Sequence, residues 1–190
     1  MNKRYVMIHD ENRCIGCQAC NVACRSENQV PDSVTRIQVR IEGPYGEMPN
    51  MHFKYHRMSC QQCEDAPCVK VCPTAAAYVG DDGLVSIKED KCVGCLYCIA
   101  ACPYKVRFIN PETKVADKCD FCKNTRLARG ESPACVAVCP TDALVFGDAN
   151  DPTDPAAKLI ATKATYQDKT HLGTKPRLYR VPVKRGRIEQ

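Results

Sequence analysis

A small α+β fold built from two duplicated, cysteine-rich units is what the sequence predicts, on three observations. Sixteen of the 190 residues are cysteine, and they fall into four groups of four with none left over. Between the groups the chain reads only as short strands and turns. Tryptophan is absent and aromatic residues make up 6% of the chain, so side chains alone leave the middle of such units poorly filled. Inorganic clusters would fill it.

The groups are Cys14-x2-Cys17-x2-Cys20-x3-Cys24, Cys60-x2-Cys63-x4-Cys68-x3-Cys72, Cys92-x2-Cys95-x2-Cys98-x3-Cys102 and Cys119-x2-Cys122-x12-Cys135-x3-Cys139. Pro73, Pro103 and Pro140 follow the last three. The first and third match the bacterial ferredoxin run that ligates [4Fe–4S] clusters. Three closely spaced cysteines on a tight loop reach three corners of one cubane. The fourth stands one helical turn further on, where it points away toward a neighbouring cluster. Proline after it stops the helix and fixes the exit. The x4 and x12 insertions lengthen a loop without changing this logic. Four [4Fe–4S] clusters are therefore expected, two in each of two ferredoxin-like units.

Two other uses of cysteine fit less well. A structural zinc site joins two C-x2-C pairs, so three thiols at x2 steps leave an odd ligand. Four crowded groups with repeated x2 spacing make a poor disulfide framework.

The groups are also internal repeats. Cys14-Ile15-Gly16-Cys17 parallels Cys92-Val93-Gly94-Cys95, and Cys72-Pro73-Thr74 parallels Cys139-Pro140-Thr141. Gly16 and Gly94 stand where backbone is expected to approach a cluster closely. Residues 1–24 and 115–147 are assigned to the first ferredoxin-like unit and 60–114 to the second. Residues 25–59 read as an inserted β-hairpin: Ile37, Val39 and Ile41 alternate with polar residues, as do Met51, Phe53 and Tyr55. Its turn is expected near Gly43-Pro44-Tyr45-Gly46. Residues 82–87 and 106–109 each read as a turn-flanked strand.

Residues 148–190 carry no cysteine. Asp154-Pro155 can cap and open a short helix through about Ala164. The remainder reads as an extended tail too polar to fold alone. Its short apolar series, Leu178, Tyr179, Val181 and Val183, lies among Arg177, Arg180, Lys184 and Arg185. Docking is expected, on this chain's own units or on a partner.

The formal charge of +5 is no argument for nucleic acid. Four oxidised clusters with their thiolates would each add about two negative charges. No aromatic platform accompanies the basic residues either. Lys105, Arg107, Lys118, Lys123, Arg126 and Arg129 either form a solvated face, raise cluster potentials or dock a partner. His9, His52, His56 and His171 are expected to be solvated or hydrogen-bonded and not haem ligands. No stretch approaches the ~18 apolar residues of a membrane span, so no direct span is expected. The N-terminus reads as lacking an export signal of its own.

With Cys14-Ile15-Gly16-Cys17, Cys119-Asp120-Phe121-Cys122 and the run from Leu172 to Tyr179, the chain resembles the four-cluster iron–sulfur subunits of bacterial molybdopterin oxidoreductases. The likeness covers nearly its whole length. It is closest to the subunits of polysulfide and thiosulfate reductases and of the formate-dependent nitrite reductase pathway. Some relatives carry tryptophan in the third group, where this chain keeps four cysteines.

The resemblance implies crossed ligand sets. Cys14, Cys17, Cys20 and Cys139 would hold cluster a, and Cys24, Cys119, Cys122 and Cys135 cluster b. Cys60, Cys63, Cys68 and Cys102 would hold cluster c, and Cys72, Cys92, Cys95 and Cys98 cluster d. It further implies a non-catalytic electron-transfer subunit between a molybdopterin catalytic subunit and an integral membrane, quinone-reactive subunit. The first pair of clusters would face the former and the second pair the latter. Export with the catalytic partner would place the chain, as a peripheral subunit, on the periplasmic face of the inner membrane; a cytoplasmic place is the alternative. A free polyferredoxin-like carrier is the rival function, and the insertion and the tail argue against it.

Overall fold

The computed structural model describes residues 3–183. Lys184 and Arg185 of the tail series lie outside the described residues. Strand β1 (Tyr5–Asp10) opens the fold and leads through the first cysteine loop into helix α1 (Ala19–Asn28). Strands β2 (Gln38–Tyr45) and β3 (His52–Met58) form the hairpin. Helix α2 (Pro67–Lys70), strands β4 (Ala77–Val79) and β5 (Val85–Ile87), and helix α3 (Tyr97–Ala100) follow. Strands β6 (Phe108–Ile109) and β7 (Ala116–Asp117) lead to helix α4 (Ala134–Ala137) and strand β8 (Leu144–Asp148). Helix α5 (Pro155–Thr162) and strand β9 (Leu178–Val181) complete the described elements.

Proline decides the helix lengths. Cys72, Cys102 and Cys139 are each followed by proline, which supplies no N–H and cannot continue a helix. The helices before them have four residues each. Cys24 is followed by Arg25, and α1 runs on to Asn28.

The central sheet has the order β8-β1-β9. Strand β1 pairs antiparallel with β8, Tyr5 opposite Asp148, and parallel with β9, Met7 opposite Leu178. Buried on both faces, β1 sends Met7 toward the cysteine-rich core and Val6 and Ile8 toward Ala156 of α5 and Val181 of β9. Helix α5 and the loop after it carry the chain from β8 past β1 to β9 on the other edge of the sheet. Asp154 caps α5 by accepting from the Ala156 N–H at 2.7 Å.

The apolar tail series thus lies on its own chain. Leu178 and Val181 are buried, and the sheet is completed by residues more than 160 positions from its first strand.

The hairpin pairs antiparallel, with Val39 opposite Arg57. Its turn lies later than expected. Strand β2 continues through Pro44 to Tyr45, with an irregular register between Glu42 and Tyr45, and residues 46–51 make the connection. The alternation holds only at the base: Ile37 and Val39 are buried, while Ile41, Met48, Met51 and Phe53 are exposed.

Two cores meet at the cysteines. One joins Met7, Ile37, Leu84, Phe121, Leu144 and Leu178 to Cys24, Cys60, Cys119 and Cys135. The other joins Ala66, Val85, Tyr104 and Ala116 to Cys63, Cys68 and Cys98. Helix α1 packs on α4, and α2 on α3.

Candidate metal centres

The four cysteine groups share one backbone device. The residue before the second cysteine of each group has positive φ: Gly16 at 70°, Gln62 at 48°, Gly94 at 65° and Phe121 at 61°. This turn folds the first two cysteines of a group back onto one side. Glycine takes it freely, and its small size matters too: a Cβ at Gly16 would stand 2.5 Å from the Tyr55 ring of the hairpin. At Gly94 it would meet the Lys114 carbonyl at 3.0 Å.

Gln62 and Phe121 take the same turn at a cost of about 1–2 kcal/mol each, and their side chains explain why they stay. The buried Gln62 amide donates to the Cys119 carbonyl (2.8 Å) and accepts from the Val85 N–H (2.8 Å). It ties the second cysteine group to the fourth. Phe121 is buried edge-on to Phe146, with ring centroids 5.2 Å apart. A second repeated turn falls three residues after Cys72, Cys102 and Cys139, at Ala75, Lys105 and Asp142, with φ of 53°, 53° and 48°.

The turns at Ala75 and Asp142 aim backbone N–H groups at sulfur, and strand β7 adds another. Ala77 donates to Cys72 Sγ (3.4 Å), Ala143 to Cys139 Sγ (3.3 Å) and Ala116 to Cys92 Sγ (3.5 Å). At Cys72 and Cys139 burial alone would raise the pKa. The N–H donors, with Thr74 and Thr141 beside them, outweigh it and hold both thiols below their ordinary value. Such bonds favour thiolate, the form that binds iron.

Elsewhere the thiols crowd one another. Burial pushes Cys24 up to about 12, with repulsion from Cys135 added. Burial likewise pushes Cys63 to about 12, with repulsion from Cys60, Cys68 and Cys102. Cys119 rises well above its ordinary value through burial and the field of Cys24. Buried thiols in repelling sets can become thiolates together only around a cation, so the donor chemistry fits iron–sulfur clusters.

The cysteines sort into four neighbourhoods. Cys14, Cys17, Cys20 and Cys139 line a cavity together with His9 and Arg57. Cys72, Cys92, Cys95 and Cys98 line a second, together with Arg107. Cys24, Cys119, Cys122 and Cys135 are all buried and in mutual electrostatic contact. Cys60, Cys63, Cys68 and Cys102 form the fourth set. Among the described residues no three His, Cys, Asp or Glu side chains close on a single ion. The thiols ring spaces larger than one ion. Only Cys17 and Cys95 are exposed, one in each cavity. Ile15 and Val22 stand exposed near the first, and Val93, Leu96 and Tyr97 near the second.

Two features escape the sequence reading. Arg57 is fully buried beside the first cavity, and donates to Ser59 Oγ (2.7 Å) and toward Cys135 Sγ (3.7 Å). A signal existed: Arg57 falls in register with Met51, Phe53 and Tyr55, where an apolar residue belongs. The second is a polar cluster under β9. Arg180, fully buried, donates to Asp168 Oδ2 (2.9 Å) and the Arg57 carbonyl (2.7 Å), and lies 3.2 Å from His9 Nδ1. Burial and the nearby arginines hold His9 neutral, its pKa about 3. His56 lies 3.5 Å from Asp168 and 3.7 Å from Glu11, and the two carboxylates raise its pKa. His9 and His56 are thus hydrogen-bonding or ion-pairing residues in a lock between the tail and the hairpin.

Comparison with known proteins agrees with this geometry. Residues 13–76 and 51–149 each match a 4Fe–4S dicluster domain. The chain is 63% identical to the B subunit of polysulfide reductase of Wolinella succinogenes, over the whole of both proteins. It is 54% identical to protein NrfC of Escherichia coli, over 98% of this chain and 84% of that one. It is 57% identical to the thiosulfate reductase electron transfer subunit PhsB of Salmonella typhi, over 77% of each. With sixteen cysteines ringing four sites, the chain belongs to the 4Fe–4S dicluster family of reductase electron-transfer subunits and carries four [4Fe–4S] clusters.

Proposed function

We propose that this chain is a non-catalytic relay that passes electrons between a membrane quinone-reactive subunit and a molybdopterin catalytic subunit reducing polysulfide or thiosulfate. The observation that carries it is the sorting of the cysteines into two sets with no exposed cysteine and two that reach the surface, at Cys17 and at Cys95. Electrons need a place to enter and a place to leave. Each cluster, when bound, takes up and releases one electron. The protein's part is to hold the sets in sequence and keep the inner two dry. Relatives named as the B subunit of one reductase and as the electron transfer subunit of another support the role.

The ligand sets of this reading are the crossed ones. Cluster a takes Cys14, Cys17, Cys20 and Cys139, and cluster b takes Cys24, Cys119, Cys122 and Cys135. Cluster c takes Cys60, Cys63, Cys68 and Cys102, and cluster d takes Cys72, Cys92, Cys95 and Cys98. Two cavities lined by complete sets support a and d. Residues 1–24 and 115–147 then form the first ferredoxin-like unit, 60–114 the second, 25–59 the inserted hairpin and 148–190 the helix and tail. The exposed Ile41, Met48, Met51 and Phe53 on the hairpin, and the apolar rims beside Cys17 and Cys95, offer surfaces for partner subunits. Among the described residues no helix is long and apolar enough to cross a membrane. Attachment at the periplasmic face of the inner membrane would come through the partners.

Anaerobically purified protein is expected to contain about sixteen irons and sixteen labile sulfides per chain. About eight irons with zinc as the balance would sink the reading. The crossing has its own test. Cys102→Ser is expected to perturb the cluster of Cys60, Cys63 and Cys68 and to leave that of Cys92, Cys95 and Cys98 nearly normal by electron paramagnetic resonance. Loss confined to the latter would mean the sets are not crossed.

A further inference from the structure

Among the described residues, three buried cations have no carboxylate partner. Arg57 is 1% exposed, Lys118 2% and Arg107 5%. Elsewhere interior arginines are paired in the ordinary way, the half-buried Arg36 with Asp117 at 2.8 Å and the buried Arg180 with Asp168 at 2.9 Å. All three guanidinium nitrogens of Arg107, and Nε of Arg57, lack a hydrogen-bond partner. A buried, unpaired charge is strongly unfavourable, so something anionic must stand beside each.

The anions within reach are cysteine thiolates, and the three cations are spaced along them. Arg57 lines the cavity of Cys14, Cys17, Cys20 and Cys139 and reaches toward Cys135 Sγ of the next set at 3.7 Å. The Lys118 ammonium sits on the Cys119 carbonyl at 3.0 Å, and its field acts on Cys68 of the following set. Arg107 lines the cavity of Cys72, Cys92, Cys95 and Cys98, and its guanidinium is drawn by Cys68, Cys60 and Cys102 of the set before.

We propose that Arg57, Lys118 and Arg107 are internal counterions, one at each of the three junctions a–b, b–c and c–d, that raise the reduction potentials of the two clusters each separates. The proposal rests on the ligand sets given above. Each electron added to a cluster increases a negative charge already near two, in a medium that screens poorly. A cation fixed between two clusters stabilises the reduced form of both. Net charge around a cluster is one of the protein's main means of setting its potential. Because the three are buried, salt does not screen them as it would a surface lysine.

The measurement is a redox titration, followed by electron paramagnetic resonance, of the cluster-loaded full chain and its Arg57→Gln, Lys118→Met and Arg107→Gln variants. Each variant is expected to keep about sixteen irons and to lower the potentials of its own two clusters. The expected size is about tenfold in the reduction equilibrium, or about 59 mV for one electron. Clusters beyond the junction should move less. Full iron content with unchanged potentials would overturn the counterion role and leave the ligand sets standing, and an equal shift of all four clusters would overturn the assignment to junctions. Wild-type protein with far fewer irons would instead overturn the reading beneath it. If a neutral variant loses iron, Arg57→Lys, Arg107→Lys and Lys118→Arg decide. Clusters and potentials kept in these would show that charge is what the junction requires. Clusters lost in them too would overturn the proposal, since shape and not charge would be at stake.

Discussion

Chelating the iron is expected to unfold the chain, with low amide protection throughout residues 10–147. The two main cores contain seventeen buried residues, and seven of these are cysteines. The sheets beside them are slight: β4 and β5 have three residues each, β6 and β7 two. Isolated two-stranded ribbons of that size do not hold together in water. A structural metal site contributes on the order of 10 kcal/mol or more of folding energy, while whole domains are stable by only about 5–15 kcal/mol. Losing four clusters therefore exceeds anything the remaining packing supplies. The patch of Val6, Ile8, Ala156 and Val181 is free of cysteine but too small to persist alone. Far-ultraviolet dichroism and hydrogen exchange on cluster-free protein are the measurements. A cooperative thermal transition there would refute the expectation.

Arg180→Met is expected to destabilise the loaded protein by about 3–5 kcal/mol, the usual cost of breaking a buried charge pair by removing one partner. The change strands Asp168 and the Arg57 carbonyl, both of which Arg180 satisfies. Arg180→Lys should rescue little, because a single ammonium cannot span Asp168, His9 and a carbonyl at once. The readout is the denaturant midpoint of the clusters' visible absorbance, with protease sensitivity after Asp168 as the local signal. An unchanged midpoint would show that the tail is dispensable to the fold.

The same lock responds to pH in a definite sense. Burial opposes ionisation of Asp168, but His56 at 3.5 Å and the hydrogen-bonded Arg180 prevail and hold it well below the usual carboxylate range. Its contribution is present above its ordinary value of 3.8 and lost as pH falls through its depressed one. His56 is raised, so its contribution is present below 6.5 and lost as pH rises through its elevated value.

The cysteine grammar was legible because ligand spacing is local: three thiols on one loop and a fourth one turn on require no knowledge of the rest of the chain. The Asp154 cap and the strand at Val85–Ile87 were legible for the same reason. The hairpin was legible in its alternation, but its turn was misplaced. Gly43 and Pro44 carry the composition of a turn, yet strand β2 runs through them and residues 46–51 make the connection. Gln62 and Phe121 resist prediction outright, since residue type argues against positive φ and only their side-chain partners justify it. Arg57, His9 and Arg180 read as ordinary polar residues. Their burial depends on β9 returning to β1, a pairing that composition left open between this chain and a partner.

That return has a consequence for how the protein is made. With the ligand sets proposed above, the second ferredoxin-like unit has all its ligands once residue 114 has left the ribosome. The first unit awaits Cys139 for its last ligand, and β9 for the third strand of its sheet. Its first three ligands, Cys14, Cys17 and Cys20, are the earliest cysteines translated and the longest exposed to oxidation before they can close on a cluster. Whatever machinery loads iron must therefore serve the middle of the chain first and hold its beginning open until its end arrives.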